Sequence, residues 1–331
     1  MRLPSSMLSF VAACALFLGC SEPAEITETA SGDRAVRLAL NWYPEAEHGG
    51  FYSADVEGHF AEQNLEVEII PGGPSAPQLV ITELVAGRVH FAVSDADQVV
   101  KARSEGLPIV AVMATMQKSP RCIMVHESTG IGRLEDLSNV QLAISESRPF
   151  ALWMRHKLAL KDVEFVPFNG LVGEFLQKER FAQQAYVFSE PFIAQEQGSD
   201  PRALMLSETG FNPYAGLLIT TDTMVSEQPD IVAAMVKASM AGWKDYLQTP
   251  EATNTLIHSL NSDMSPEALT YGAEQVAELC RSEDGGIDFS MSLQRWETLV
   301  RQIEEIEEIP ASSVDPSDCF TAKFVDSAIP R

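Results

Sequence analysis

The chain has 331 residues, 45% hydrophobic and 21% charged, which is enough to bury the cores of two domains. Its formal net charge of -24 excludes the basic surfaces that nucleic acid and anionic lipid require. The five Cys include no CxxC pair, which argues against a zinc ribbon or a redox dithiol. At the amino end, Arg2 is the only charge before Glu22, and Leu3 to Leu18 is mostly apolar. Such a run is too short for a membrane span and reads as a secretory signal over residues 1–19. Leu18-Gly19-Cys20-Ser21 resembles the lipobox of bacterial lipoproteins, with Cys20 as the lipidated first mature residue. Residues 20–33 are polar and aperiodic and read as a flexible tether between lipid and fold.

Val36 to Leu40 is an apolar strand that ends at a loop holding Trp42, Tyr43, Glu45 and His48. Gly49 and Gly50 then open a helix with apolar Phe51, Ala54 and Phe60. Aromatic rings and a carboxylate at the carboxyl end of a first strand suit a small flat ligand. Leu65 to Ile70 is the next strand and stops at Pro71-Gly72-Gly73-Pro74. A helix over Gln78 to Ala86 and a strand over Val89 to Val93 follow, and then Ser94, Asp95 and a helix to about Ser104. Pro108 to Thr115, Arg121 to Val125, Gln141 to Ser145, Glu164 to Pro167, Ala185 to Phe188 and Leu217 to Thr220 read as strands. Beyond Pro229 the pattern is helical: Asp230–Leu247, Pro250–Leu260, Pro266–Arg281 and Ser290–Glu307. Alternation of strands and helices predicts parallel sheets.

The expected architecture is α/β with two lobes joined by a hinge of two crossovers, near Ser119 and near Tyr214. Residues 34–118 begin the first lobe, 119–213 form the second, and 214–331 return to complete the first. The ligand would lie between the lobes. Of the three Cys outside the leader, Cys280 and Cys319 flank the last helices and are the more plausible disulfide pair; Cys122 reads as a buried strand thiol.

Four segments carry a family resemblance. They are LNWYPEAEHGGFYSADVEGHFAEQNLEVEIIPGG, VSDADQVVKARSEGLPIVAVMA, AYVFSEPF and NPYAGLLITT. They resemble successive segments of the ABC-importer substrate-binding proteins related to binders of thiamine pyrimidine precursors, nitrate, sulfonates and taurine. The WYP-type loop looks most like the pyrimidine-precursor branch. The resemblance implies a type II periplasmic-binding-protein fold that closes on its ligand. It also implies docking on a permease with its ATPase subunits, by a monomer held to the cell envelope through its lipid. Trp42 matches the family's ring-stacking position, with Tyr43 and His48 beside it. Tyr186, Phe188 and Tyr214 fall in matching later segments, and Glu190 sits where the family often places a ligand-contacting carboxylate. Ser94, Ser145 and Asn212 are rim candidates, and Asp95 would add a second acid. Two acids, with no Arg or Lys among the site candidates of these segments, disfavour nitrate or a sulfonate. Glu190 and Asp95 also fit plain helix-start acids, and Tyr186 fits a strand core.

Among enzymes, the related pyrimidine synthase of thiamine biosynthesis is the rival. Where that family has its reactive His, this chain has Ala96-Asp97, and where it has a Cys cluster, this chain has Glu208 to Pro213. GxSxG, GxxxxGK and HExxH motifs are absent, and the six His are widely spaced, so no catalytic residue, cofactor or metal is expected. The sequence alone therefore predicts a solute receptor for a small aromatic heterocycle, with nitrate, sulfonate, taurine or riboflavin-type solutes as alternatives.

Overall fold

A computed structural model describes residues 24–73, 75–282 and 285–328. The signal segment, and Cys20 with it, lie outside the described residues. Among the described residues, ten strands form two five-stranded sheets. The first holds β1 (Arg34–Ala39), β2 (Leu65–Ile70), β3 (Phe91–Ser94), β4 (Ile109–Met116) and β10 (Ala215–Thr221), in the order β2-β1-β3-β10-β4. The second holds β5 (Arg121–His126), β6 (Ser138–Ile144), β7 (Lys161–Pro167), β8 (Phe181–Tyr186) and β9 (Pro201–Met205), in the order β7-β6-β8-β5-β9.

Both sheets are mixed, which corrects the expectation of parallel sheets. β1 runs parallel to β2 and β3, but β10 is antiparallel to β3 and β4. In the second sheet β6 is parallel to β7 and β8, while β5 is antiparallel to β8 and β9. The exceptions are β10 and β5, each of which follows a passage of the chain from one sheet to the other. A strand entering that way is not the end of a βαβ crossover, so nothing compels it to run parallel. β8 begins four residues before the stretch that the pattern favoured and ends two residues short of its end, and β9 lies in a segment with no clear strand period.

Buried apolar strands explain the centre of the first sheet. All four residues of β3 and all eight of β4 are buried. β4 ends its sheet, yet later chain covers it: the Thr321 amide donates to the Ala111 carbonyl, and the Ala114 amide to Phe289. That cover satisfies an edge that would otherwise be open to pairing. The Pro229–Tyr246 helix lays Ile231, Met235 and Trp243 against the Gly49–Val56 helix and the strands. The approach is close because Gly50 has no side chain; a Cβ there would lie 2.0 Å from Trp243 Cδ2.

Two further expectations change. Residues 24–33 are not a free tether. The Ala24 amide donates to the Gly87 carbonyl, Ile26 packs on the core, and Thr29 to Asp33 turns back so that Glu28 bridges Arg34. Ile26 supplies the burial that the polar run around it conceals. Cys280 and Cys319 are both free. Cys280 belongs to the core around Trp243 and Cys319 to the core around Trp296, so the fold holds the two thiols in separate packing units.

Candidate functional site

A cavity of ≈ 450 Å³ opens between the two sheets. Its walls come from strand ends and helix starts, as in open α/β sheets generally. Trp42 and Glu45 follow β1, Ser145 follows β6, Phe168 to Gly170 follow β7, and Tyr186 closes β8. β5 runs the other way, so it offers its first residues, Arg121 and Cys122. Arg148 and Phe150 start the Pro149–Lys157 helix, while Ser189 and Glu190 start the Glu190–Glu196 helix.

An ion pair crosses between the sheets at the cavity wall. Arg121 Nη2 donates to Asp95 Oδ2 at 2.5 Å, with both side chains 8% exposed. Asp95 occupies the cap position of the Ala96–Ser104 helix, but its carboxylate makes no cap hydrogen bond. It goes to Arg121 instead, and it also accepts from the Tyr186 hydroxyl (3.3 Å) and the Gly216 amide (3.3 Å). The Arg121 guanidinium lies 4.8 Å from the Phe150 ring centre and 5.2 Å from that of Tyr186. Arg148 Nη1 donates to Gln98 Oε1 at 3.2 Å.

The remaining acids are not paired with cations among the described residues. Glu190 is a first-turn helix acid whose Oε2 accepts from the Tyr186 amide at 2.8 Å. Burial raises its carboxyl to about 7, against the pull of that amide and its own. Glu45 is raised to about 8 by burial and then by the charge of Glu190; the Ser189 hydroxyl and the Trp42 indole pull the other way. Glu47, buried just behind, is pushed well up by burial and then by Glu45, Asp95 and Glu190. The Cys122 thiol is also pushed up by burial, which makes it inert as a nucleophile.

Of the residues singled out in the sequence, Trp42, Glu45, Ser145, Tyr186 and Glu190 line the cavity. Asp95 stands behind Arg121 and Tyr186. The others lie outside the lining. Tyr43 is 43% exposed and meets Trp42 edge-on at 5.6 Å. His48 is fully buried on Asn41, with its ring held down to about 3 by burial. Ser94 is buried in β3, and Phe188 is in the core beside Tyr186. Asn212 and Tyr214 belong to the passage between sheets. Asn212 Oδ1 accepts from the Ser119 amide at 2.8 Å, and the Tyr214 ring lies 3.6 Å from the Arg295 guanidinium.

The reading that no basic residue serves the site is corrected by Arg121 and Arg148. Arg121 directly follows Ser119-Pro120 at a strand start, and only antiparallel β5 turns that end toward the cavity. Arg148, Phe150 and Asn169 do lie just past strand ends, where the rule that found Trp42 could have found them. Among the described residues there is no metal-binding cluster, and no helix is long and apolar enough to cross a membrane.

Comparisons with known proteins bear on the family and the fold. The chain is 28% identical over 247 residues to a formylaminopyrimidine-binding protein of Halalkalibacterium halodurans, covering 70% of this chain and 73% of that one. It is 24% identical over 256 residues to riboflavin-binding protein RibY of Chloroflexus aurantiacus, covering 71% and 72%. A solved periplasmic sulfonate-binding protein of an ABC transporter from Methylobacillus flagellatus KT superposes with a TM-score of 0.65. At 16% identity, over 89% of this chain and 94% of that one, this likeness shows the periplasmic-binding-protein fold. The family model described as NMT1/THI5 like matches residues 45–253, and the chain belongs to that family.

Proposed function

We propose that this chain is the solute-capturing subunit of an ABC importer, and that its solute is a small aromatic heterocycle such as a thiamine pyrimidine precursor. The observation that carries the reading is the content of one inter-sheet cavity. It combines the rings of Trp42, Phe150, Phe168 and Tyr186 with the carboxyls of Glu45 and Glu190. Flat rings are held by such walls, each face contributing on the order of a kcal/mol. Carboxyl groups accept the N–H donors of an amino-substituted ring. The formylaminopyrimidine-binding relative, matched over most of its length, supports the same class.

The riboflavin-binding relative favours a second reading, a flavin-type solute, for which the cavity has the volume of an ordinary ligand site. Anions such as nitrate, taurine or other sulfonates would depend on Arg148, since Arg121 is engaged by Asp95, and would face the carboxyls of Glu45 and Glu190. The chain is a binding protein and not a synthase. The two relatives matched over most of their length are binding proteins, and where the synthase family has its donor His and its Cys cluster this chain has Ala96-Asp97 and Glu208 to Pro213.

Capture closes the two halves around the solute, and delivery goes to a permease with its ATPase. The receptor acts as a monomer outside the cytoplasm, tethered through a lipid on Cys20. A thermal-shift and calorimetry screen of 4-amino-2-methylpyrimidine, riboflavin, taurine and nitrate tests the solute. The aminopyrimidine is expected to bind, and Trp42→Ala or Glu190→Ala to weaken it by at least about tenfold. Unchanged binding in both variants rejects the site. Detergent partition of Cys20→Ala against the parent chain tests the anchor.

A further inference from the structure

We propose that Glu45 and Glu190 carry one proton between them and together read a ring-nitrogen-plus-amino edge of the ligand, the protonated carboxyl donating and the ionised one accepting. This rests on the receptor reading above and narrows its solute to heterocycles with an N=C–NH2 edge.

The geometry singles out this pair. Glu45 comes from the loop after β1 and Glu190 from the helix after β8, so each sheet supplies one carboxyl to the same cavity. Of the two cations lining the cavity, Arg121 is paired with Asp95, while Arg148 donates to the neutral Gln98 and makes no salt bridge to either carboxyl. Two desolvated carboxyls in one cavity, neither of them in an ion pair, cannot both ionise cheaply, and they titrate as a pair. The other charged or titratable groups around them do not break this arrangement. Glu47, from the Glu45 loop, is itself pushed well up by burial and brings no fixed charge; Asp95 is balanced by Arg121; Cys122 and Tyr186 are held neutral by burial.

The surroundings also decide which carboxyl keeps the proton. Glu190 accepts the Tyr186 amide at 2.8 Å, a bond that favours its ionised form. Glu45 feels the charge of Glu190 on top of its own burial. Glu45 thus holds the proton and donates to the ring nitrogen, and Glu190 accepts from the amino group. The values of about 8 for Glu45 and about 7 for Glu190 put the singly protonated pair near neutral pH. Above that window Glu45 gives its proton to solvent and the donor is lost. Below it Glu190 is protonated and the acceptor is lost.

The test is calorimetric titration of the chain with 4-amino-2-methylpyrimidine from about pH 5.5 to about pH 9.5. Affinity should peak between about 7 and about 8 and fall on both sides. The alkaline limb is diagnostic, because the probe's ring gains its proton only on the acid side. Glu45→Gln keeps a donor that does not titrate, so it should weaken binding a few-fold at the peak and abolish the alkaline fall. Glu190→Gln should cost about tenfold, because the Tyr186 amide takes the one carbonyl oxygen that could accept from the ligand. The comparator 2-methylpyrimidine, which lacks the amino group, should bind about tenfold more weakly than the amino probe. A flat profile across this range, or an alkaline fall that survives in Glu45→Gln, overturns the proposal. So does binding of riboflavin, taurine or nitrate by a chain that ignores the amino probe. If none of these solutes binds, it is the receptor reading that fails, and this inference goes with it.

Discussion

Replacing Arg121 by Met tests how the wall of the cleft is held. The substitution keeps an unbranched side chain but removes the guanidinium from Asp95, a pair with both members 8% exposed. Asp95 then retains only the Tyr186 hydroxyl and the Gly216 amide, both at 3.3 Å. Removing one member of a buried pair costs about 3–5 kcal/mol, because the stranded charge has lost its water and its partner. Loss of the cation from the Phe150 face adds roughly 0.5–1 kcal/mol. The expected loss is therefore about 4–6 kcal/mol. Urea unfolding of the unliganded chain, followed by tryptophan fluorescence and circular dichroism, measures it. The double variant Asp95→Asn, Arg121→Met leaves no buried charge and should recover to within about 2 kcal/mol of the parent. If Arg121→Met costs less than about 1 kcal/mol, or if the double variant is as damaged as the two singles combined, the pair does not hold the wall as argued.

Three further outcomes follow from the same contacts. The unfolded chain releases the protons of Glu45 and Glu190 near 4.5, whereas the folded cavity holds them to about 8 and about 7. Their contribution to stability is thus complete below 4.5, shrinks through that window and is gone above about 8. The thermal midpoint of the unliganded chain should fall across this range, and less steeply in Glu45→Gln; an equal slope in that variant would count against the assignment. Gly50→Ala should destabilise by at least about 1–3 kcal/mol in the same urea assay, because its Cβ would lie 2.0 Å from Trp243 Cδ2 in a fully buried ring. A neutral result would mean that the two helices are less tightly apposed. Cys122, Cys280 and Cys319 should each react with a thiol reagent in denaturant but resist it in the folded chain, and reductant should leave the melting temperature unchanged. Recovery of fewer than these three thiols without prior reduction would reinstate a disulfide.

Local patterning was enough for much of this molecule. The apolar runs of β1, β3 and β4 and the stripe of Ile231, Met235 and Trp243 declare themselves, because burial of one face leaves a period in the chain. The same holds for Trp42 and Glu190, which sit where a strand stops and a helix or loop begins. Strand direction was beyond its reach: β5 and β10 look like any other strand, and only their entry from the opposite sheet makes them antiparallel. That reversal brings Arg121 to the cavity and joins it to Asp95, 26 residues earlier. His48, Phe188 and Tyr214 carry the residue types of a ligand site, yet packing turns them into the interior or the passage between sheets. Residue type and strand ends were written in the sequence, whereas which side chains share one desolvated space, and with which charges, was settled by long-range packing.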